Sequence, residues 1–388
     1  MLPIHRTYSY LFLITCLGIK ASAGVFSGDP PDANHPWAVH DENRPQPPVV
    51  VAGEQLGDAP SDAIVLFNGT EESLQNWEHA KPDDERKADW SVVDGALICA
   101  PGAGFLKSIE EFGDCQLHIE WSAPAEIKGN GQGRGNSGVF LMGMTEVQIL
   151  DNYENPTYPD GTAGSVYGVS PPAVNALRAP GEWQSYDIIF RRPIVREGEV
   201  LDPGSITVLC NGVLIQDISS LEGGGGHKKR KPLNRFFPQK GSLHLQDHGN
   251  PVRFRNIWYR SLRPRAQEGG LNGPLDPDVA AIKRAGIAQD IRRDATQRSG
   301  IDRALRLYES LLYAMDEAAL READEIAMTY LKKINQATNN ELKSQKHMVL
   351  SLSKAFNYLV DFDFLTDGHF ALPVLESIIA EQGWKKKK

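Results

Sequence analysis

Two stretches of this sequence carry chemically capable side chains at strand spacing. The first is Gly135-Asn136-Ser137-Gly138-Val139-Phe140-Leu141, followed by Thr145-Glu146-Val147-Gln148-Ile149-Leu150-Asp151. Alternation puts Glu146 and Gln148 on one face with Val147 and Ile149 behind them, while Asp151 falls at the strand end, where no face is assigned. The second runs from Gly241 to Leu262. There Leu243 and Leu245 oppose His244, Gln246 and His248, and after the Gly249-Asn250-Pro251 break Val252 and Phe254 oppose Arg253 and Arg255. Read as two strands and a turn, this is one wall of a polar cleft. Carboxylates, imidazoles, amides and a guanidinium together suffice for acid/base work or metal binding.

Each group also has a plain structural reading. A Glu or Gln on an exposed strand is usually only solvated, and a strand His usually satisfies a hydrogen bond. Arg253 and Arg255 suit cross-strand pairs with acids. Asn136 and Gly138 suit a turn or bulge, and Asp151 a loop cap. The functional case rests on how many such groups share faces in two separate runs. A divalent metal ion is the one cofactor these residues admit. His244 and His248 project the same way, but no third ligand stands at a recognised spacing. The loop Gly129-Asn130-Gly131-Gln132-Gly133 precedes a strand, not a helix, which argues against phosphate cradling.

The elements that must position these groups are mostly β. Short segments recur between turns: Trp90 to Val93, Ala96 to Cys99, Cys115 to Trp121, Ser185 to Phe190, Ile206 to Cys210 and Val213 to Ile215. Asn211-Gly212 is a two-residue hairpin signal. Many short strands without a helical period predict an antiparallel sandwich or jelly roll over residues 62–262. Residues 263–275 read as a Pro/Gly-rich linker. Beyond it the period becomes helical, with stripes Ile301/Leu305/Tyr308/Leu312/Met315, Leu320/Ala323/Ala327/Leu331/Ile334 after an N-cap at Asp316, and Met348/Leu352/Ala355/Leu359. Four or five helices over 276–388 predict a small bundle, with no chemistry visible in it.

At the N-terminus, His5 and Arg6 precede an apolar run, and Ala21-Ser22-Ala23 fits a cleavage site. Residues 1–23 therefore read as a signal peptide and the product as periplasmic or secreted, since the run is too short for a stable membrane span. A lipoprotein site at Cys16 fits less well, because Thr15 precedes it. Residues 24–61, rich in Pro, Gly, Asp and Asn, read as a disordered linker. The remaining Cys99, Cys115 and Cys210 match no zinc spacing and read as buried small hydrophobes. A net charge of −9 argues against nucleic acid as a partner. His227-Lys228-Lys229-Arg230-Lys231, after Gly223–Gly226, reads as a flexible solvated loop with no aromatic platform.

The motifs GNSGVF at 135–140, EVQILD at 146–151, YG at 167–168, GEW at 181–183, CNG at 210–212, and LQDHG with VRFRNI at 245–257 follow one another in a familiar order. Over residues 60–262 the chain resembles the 3-keto-disaccharide hydrolase family, formerly a domain of unknown function. Gln184 stands where that family commonly has Asn after the Trp, and Thr145 where it has an apolar or aromatic residue. The resemblance implies a concanavalin-A-like jelly roll and cleavage of 3-keto-glycosides. The ketone at C3 acidifies the C2 hydrogen, a base removes it, the C1 oxygen is expelled, and water adds. On this reading His248 or Glu146 is the base and Arg255 or a metal stabilises the enolate. Asn136, Gln148 and Gln246 orient sugar hydroxyls, with His244 and the aromatics Tyr167 and Trp183 completing the carbohydrate site. Asp151 supports a His or the metal. A sugar 3-dehydrogenase would have to act upstream. The competing expectations are a non-catalytic carbohydrate-binding module, a two-carboxylate glycosidase using Glu146 and Asp151, and an exported structural protein whose helices are the working part.

Overall fold

The computed structural model describes residues 26–81, 89–270 and 273–384. The signal peptide expected over 1–23 and the terminal lysine run lie outside the described residues. The chain divides into two compact units, one of residues 48–270 and one combining the N-terminal segment up to Pro47 with residues from Leu271 onward.

The first unit is the expected antiparallel sandwich. A five-stranded sheet runs in the order Trp77–His79, Leu106–Phe112, Gly241–Leu245, Ser137–Leu141, Thr145–Ile149. An eight-stranded sheet opposes it, ordered Val213–Ser219, Ser205–Cys210, Gln184–Arg191, Cys115–Ser122, Arg253–Ser261, Ala96–Ile98, Ser91–Val93, with Ile64–Phe67 also pairing Arg253–Ser261. Alternation builds the core. Leu106, Val139, Leu141, Val147, Leu243 and Leu245 face Leu117, Ile119, Trp121, Tyr186, Ile188 and Phe254, all buried in one cluster. Cys99, Cys115 and Cys210 are buried free thiols, and burial raises all three.

One reading needs correcting here. The strands on either side of Gly249-Asn250-Pro251 do not form a hairpin, because they belong to different sheets. Leu243, Leu245 and Phe254 all meet in the core. The polar side chains of the two strands therefore point out of opposite faces of the sandwich. Alternation gave each strand its correct inward face but could not say that the turn crosses between sheets.

Residues 24–61 were expected to be a disordered linker, and the described part is instead anchored at several points, while Val49, Val51 and Leu56 stay exposed. Within the helical unit Phe26 stacks edge-on against Tyr358 at 5.8 Å, and Tyr358 donates to the Gly28 carbonyl at 2.6 Å. Tyr313 donates to Asp41, and Asn43 bridges Glu309 at 2.6 Å and Arg306 at 2.9 Å. In the β unit the Gly57 carbonyl accepts from Asn256 and Trp258, each at 2.8 Å. Side chain and backbone groups here find partners on folded elements, so polar composition misleads. Residues 263–270 likewise stay with the sandwich, where Arg265 meets Asp114 at 3.1 Å and Asp202 at 2.9 Å.

Among the described residues the helical unit has five α-helices, Pro277–Ala295, Gly300–Leu311, Glu317–Ile334, Asn339–Asp361 and Ala371–Glu381. Asp316 caps the third as the sequence indicates, accepting from Ala318 and Ala319. Thr338 and Glu341 form a capping box on the fourth. The predicted stripes supply its core, apart from Met315, which is exposed. No helix among the described residues is long and apolar enough to cross a membrane.

Candidate active site

The outward face of the five-stranded sheet carries the candidate site. Its register sets Glu78 opposite Lys107, Lys107 opposite His244, His244 opposite Phe140 and Phe140 opposite Glu146. Directly opposed residues share a face, so these five form one rank across the sheet. A second rank follows: the Gln246 amide donates to the Gly138 carbonyl, and Gly138 lies opposite Gln148. His244 and Glu146 sit two strands apart, about 10 Å between backbones, with the Phe140 ring between them.

Glu146 is the most unusual group on this face. Its carboxyl is half-buried and has no hydrogen-bond or ion-pair partner among the described residues. Burial raises its pKa to about 8, with the charge of Lys231 working in the opposite direction. Such a carboxyl is mostly protonated at neutral pH. The carboxyl lies over Gly138, where an added Cβ would come within 2.5 Å of Oε1. Gly138 is therefore the floor that this side chain needs. His244 shows the mirror-image behaviour. Burial, then the charge of Lys107, lowers its pKa, so the ring is neutral. It rests against Gly143, where a Cβ would meet the ring at 2.7 Å, and makes no hydrogen bond among the described residues. Lys107 is held at 2.9 Å by Glu78.

The segment after the edge strand closes one side. Tyr167 donates its amide to the Glu146 carbonyl at 3.1 Å, and Val166 bridges Val147. The Tyr167 and Tyr158 hydroxyls share a hydrogen bond at 2.9 Å. Glu146 is close enough to Tyr158 to help raise its pKa, behind burial and Tyr167. Lys231 completes the group, its own pKa lowered by burial and by Arg235.

Six of the ten residues singled out in the sequence meet here: Asn136, Glu146, Gln148, Tyr167, His244 and Gln246. Two of the six also have structural work. Asn136 donates to the Gln132 carbonyl at 2.8 Å, and Gln148, 1% exposed, donates to Gln132 Oε1 at 3.1 Å. Both thus brace the 129–135 loop. Oε1 of Gln148 and Oε1 of Gln246 are buried without a partner, two unsatisfied acceptors enclosed beneath this face.

The other four lie elsewhere. Arg255 projects from the eight-stranded sheet, donating to Glu120 at 2.6 Å and lying 4.1 Å over Trp183. Both residues are removed from the Glu146 face because their sheet is the opposite one. His248 sits in the bend beyond Leu245, where alternation has ended. It is exposed and lines a separate hollow of about 480 Å³ with Asp151, Arg134 and Asn250. Asp151, 4% exposed, is gripped by Arg134 through both oxygens at 2.6 and 3.2 Å. A metal does not fit this donor set. Arg134 occupies the Asp151 carboxylate, and no three His, Cys, Asp or Glu side chains converge among the described residues.

Sequence reasoning missed Lys107, Phe140, Tyr158 and Lys231. Phe140 shares the alternation of Gly138 and could have been read. The others come from another strand and from loops, and no local signal points to them. Of the two departures from the family pattern, Gln184 is buried and bonds Arg178 and Asn211, away from this face. Thr145 is also buried, with its hydroxyl unpartnered.

A family model described as the 3-keto-alpha-glucoside-1,2-lyase-like domain matches residues 62–260, just over half the chain. The chain belongs to this family. Membership makes the sandwich a carbohydrate-active domain of hydrolase or lyase type. Among solved structures, a candidate glycosyl hydrolase from Parabacteroides distasonis is 43% identical, with a TM-score of 0.52, covering 56% of this chain and 93% of its own. A second from the same organism is 22% identical with a TM-score of 0.37, covering 52% and 99%. No curated protein matches the chain.

Proposed function

We propose that this domain cleaves the glycosidic bond of 3-keto-glycosides by elimination across C1–C2, followed by hydration. The observation that carries the reading is the pairing of Glu146 and His244, whose surroundings push their pKa values in opposite directions. Such a pair stands at neutral pH as one protonated acid and one neutral base, ready to take one proton and give another in successive steps. His244 takes the C2 proton, and the electron pair passes to the C3 oxygen as an enolate. The enolate reforms the ketone, a C1–C2 double bond forms, and the C1–O bond breaks. Glu146 gives its proton to the departing oxygen. Water then adds at C1 of the enone and C2 regains a proton, so the sum is hydrolysis. Lys107 and Lys231 supply positive charge for the enolate. Gln246, half-buried on the same face, is the amide placed to meet a sugar hydroxyl.

This assignment moves the base from His248 to His244 and takes Arg255 out of the chemistry. It also disfavours a two-carboxylate glycosidase, since Arg134 immobilises Asp151 and the remaining carboxyl has no partner acid. The substrate must come from an oxidation at C3, the work of a separate sugar dehydrogenase. The test is incubation of the purified protein with a 3-keto-glucoside and, in parallel, its unoxidised parent. Aglycone release from the keto sugar alone is the expected result. Cleavage of the parent, or of neither, sinks the proposal.

A further inference from the structure

We infer that the substrate of this cleft is an anionic glycan, bearing a carboxylate or a sulfate ester next to the bond that is cut. The inference rests on the proposed reaction for its setting and on a different part of the molecule for its content.

The basic run expected to be a solvated loop is a built hairpin. Gly225–Gly226 pairs with Lys229–Arg230, and the hairpin sits backbone-to-backbone on Tyr167-Gly168. An added Cβ on Gly225 would come within 1.8 Å of the Tyr167 carbonyl, so the bare Cα of Gly225 is what lets it seat. The hairpin and the two tyrosines enclose a hollow of about 360 Å³, lined by Tyr158, Asp160, Tyr167, Lys228, Lys229 and Arg230 among others. Tyr167 is also bonded to the Glu146 backbone, and Lys231 at the end of the hairpin acts on the Glu146 carboxyl. The hollow therefore adjoins the candidate site.

Charge gives this hollow its meaning. Lys228, Lys229, Arg230, Lys231 and Arg235 form no ion pair among the described residues, and Asp160 is the one acid lining the hollow. The protein as a whole carries a net charge of −9. Elsewhere on the sandwich, by contrast, Arg255, Arg260, Arg191 and Arg134 are each tied to a carboxylate. A concentrated, uncompensated positive rim on a negative molecule draws anions toward the cleft and repels none of the neutral sugars. The Tyr158 and Tyr167 hydroxyls beside it spend one proton on their mutual hydrogen bond and leave one donor suited to a carboxylate or sulfate oxygen.

The test uses the full chain and three 3-keto-glycosides that share the scissile linkage: one neutral, one with a uronate carboxylate, one with a sulfate ester. Each is assayed at low and at moderate salt, with wild type and with the K228Q/K229Q/R230Q variant. Wild type should favour an anionic substrate in kcat/KM by roughly tenfold or more at low salt, and salt should shrink that preference. The variant should lose the preference while its rate on the neutral substrate stays within about twofold. Which anion gains tells carboxylate from sulfate. Equal rates on neutral and anionic substrates, or a preference that survives in the variant, overturns the inference while leaving the proposed reaction intact. If none of the three is cleaved, the reaction fails. Calorimetric binding of the unoxidised anionic and neutral glycosides then decides the inference by itself, with equal affinity overturning it.

Discussion

The two outer faces of the sandwich carry similar residue types and treat them differently. On the eight-stranded sheet the polar side chains mostly have partners, although Nε2 of His118 is buried without a hydrogen bond. His118 binds Asp187 at 2.7 Å, Arg255 and Asn256 hold Glu120 at 2.6 and 3.0 Å, and Arg260 meets Asp62. On the five-stranded sheet the side chains of Glu146 and His244 have no hydrogen bonds among the described residues, and Gln148 and Gln246 each keep a buried unpartnered oxygen. Nature tolerates such unsatisfied groups in small numbers because they cost stability. A face that collects them beside paired controls on the opposite sheet is set up to bind something. The electrostatics agree. Partners hold His118 charged and Glu120 ionised on one face, whereas burial leaves Glu146 protonated and His244 neutral on the other.

The strongest way to break this contrast is Glu146→Gln. On the 3-keto substrate kcat should fall roughly 10²–10⁴-fold, and His244→Gln should do the same. Stability should move the other way. Burial lifts Glu146 from 4.5 to about 8, so between those values the folded chain holds a proton that the unfolded chain has released. Stability therefore falls as pH rises from 4.5 through about 8, and the isosteric amide removes that slope. Thermal melts above pH 8 should show Glu146→Gln more stable than wild type by roughly 1–3 kcal/mol. A variant that is both less stable and fully active would show that Glu146 is merely structural.

A second effect sharpens the pairing. The kcat/KM profile should be bell-shaped, with its alkaline limb near 8, where Glu146 loses its proton. Its acid limb should lie below the ordinary imidazole value of 6.5, where His244 gains one. An alkaline limb that persists unchanged in the residual activity of Glu146→Gln assigns it to another group.

Much of this site was legible in the sequence, and the limits are physical. Alternation is local, so it put Glu146 with Gln148, and His244 with Gln246, on correct faces. Register then joined the two pairs across Gly138 and Phe140, which a single sequence does not reveal. Alternation also stops at a strand's end, which is why His248 was misplaced and Asp151 had no face assigned. The larger failure came from the turn at Gly249-Asn250-Pro251. A Gly/Asn/Pro cluster marks a break but not whether the chain turns back beside itself or crosses to another sheet. That one ambiguity put Arg255 on the same wall as His244. The basic hairpin was missed for a related reason. Its glycines resemble flexibility in composition, while Gly225 is there for close approach to Tyr167.

The paired face makes a smaller and opposite prediction. Burial opposes the charge on His118, 2% exposed, yet Asp187 and Glu120 raise its pKa from 6.5 to about 9. Its contribution is thus complete below 6.5 and is lost as pH rises through about 9. His118→Gln should destabilise the protein by roughly 1–2 kcal/mol near pH 6, because Asp187 is partly exposed and screened. The deficit should shrink toward pH 9, while kcat on the 3-keto substrate stays within about twofold of wild type. Denaturation curves at both pH values and one rate assay check it.

The smallest expected effect discriminates most sharply, because Arg255 has the chemistry of an enolate stabiliser and only its position argues otherwise. Its guanidinium is 43% exposed, donates to Glu120 and lies over the Trp183 ring. Arg255→Gln removes an ion pair open to solvent and one cation–π contact, together worth about 0.5–1.5 kcal/mol. The alkaline and acid limbs of the rate profile should not move, because neither Glu146 nor His244 feels this side chain through the core. A tenfold loss of kcat with unchanged stability would mean that the reacting sugar reaches the eight-stranded sheet. The unsatisfied groups of the opposite face would then have to be explained without catalysis.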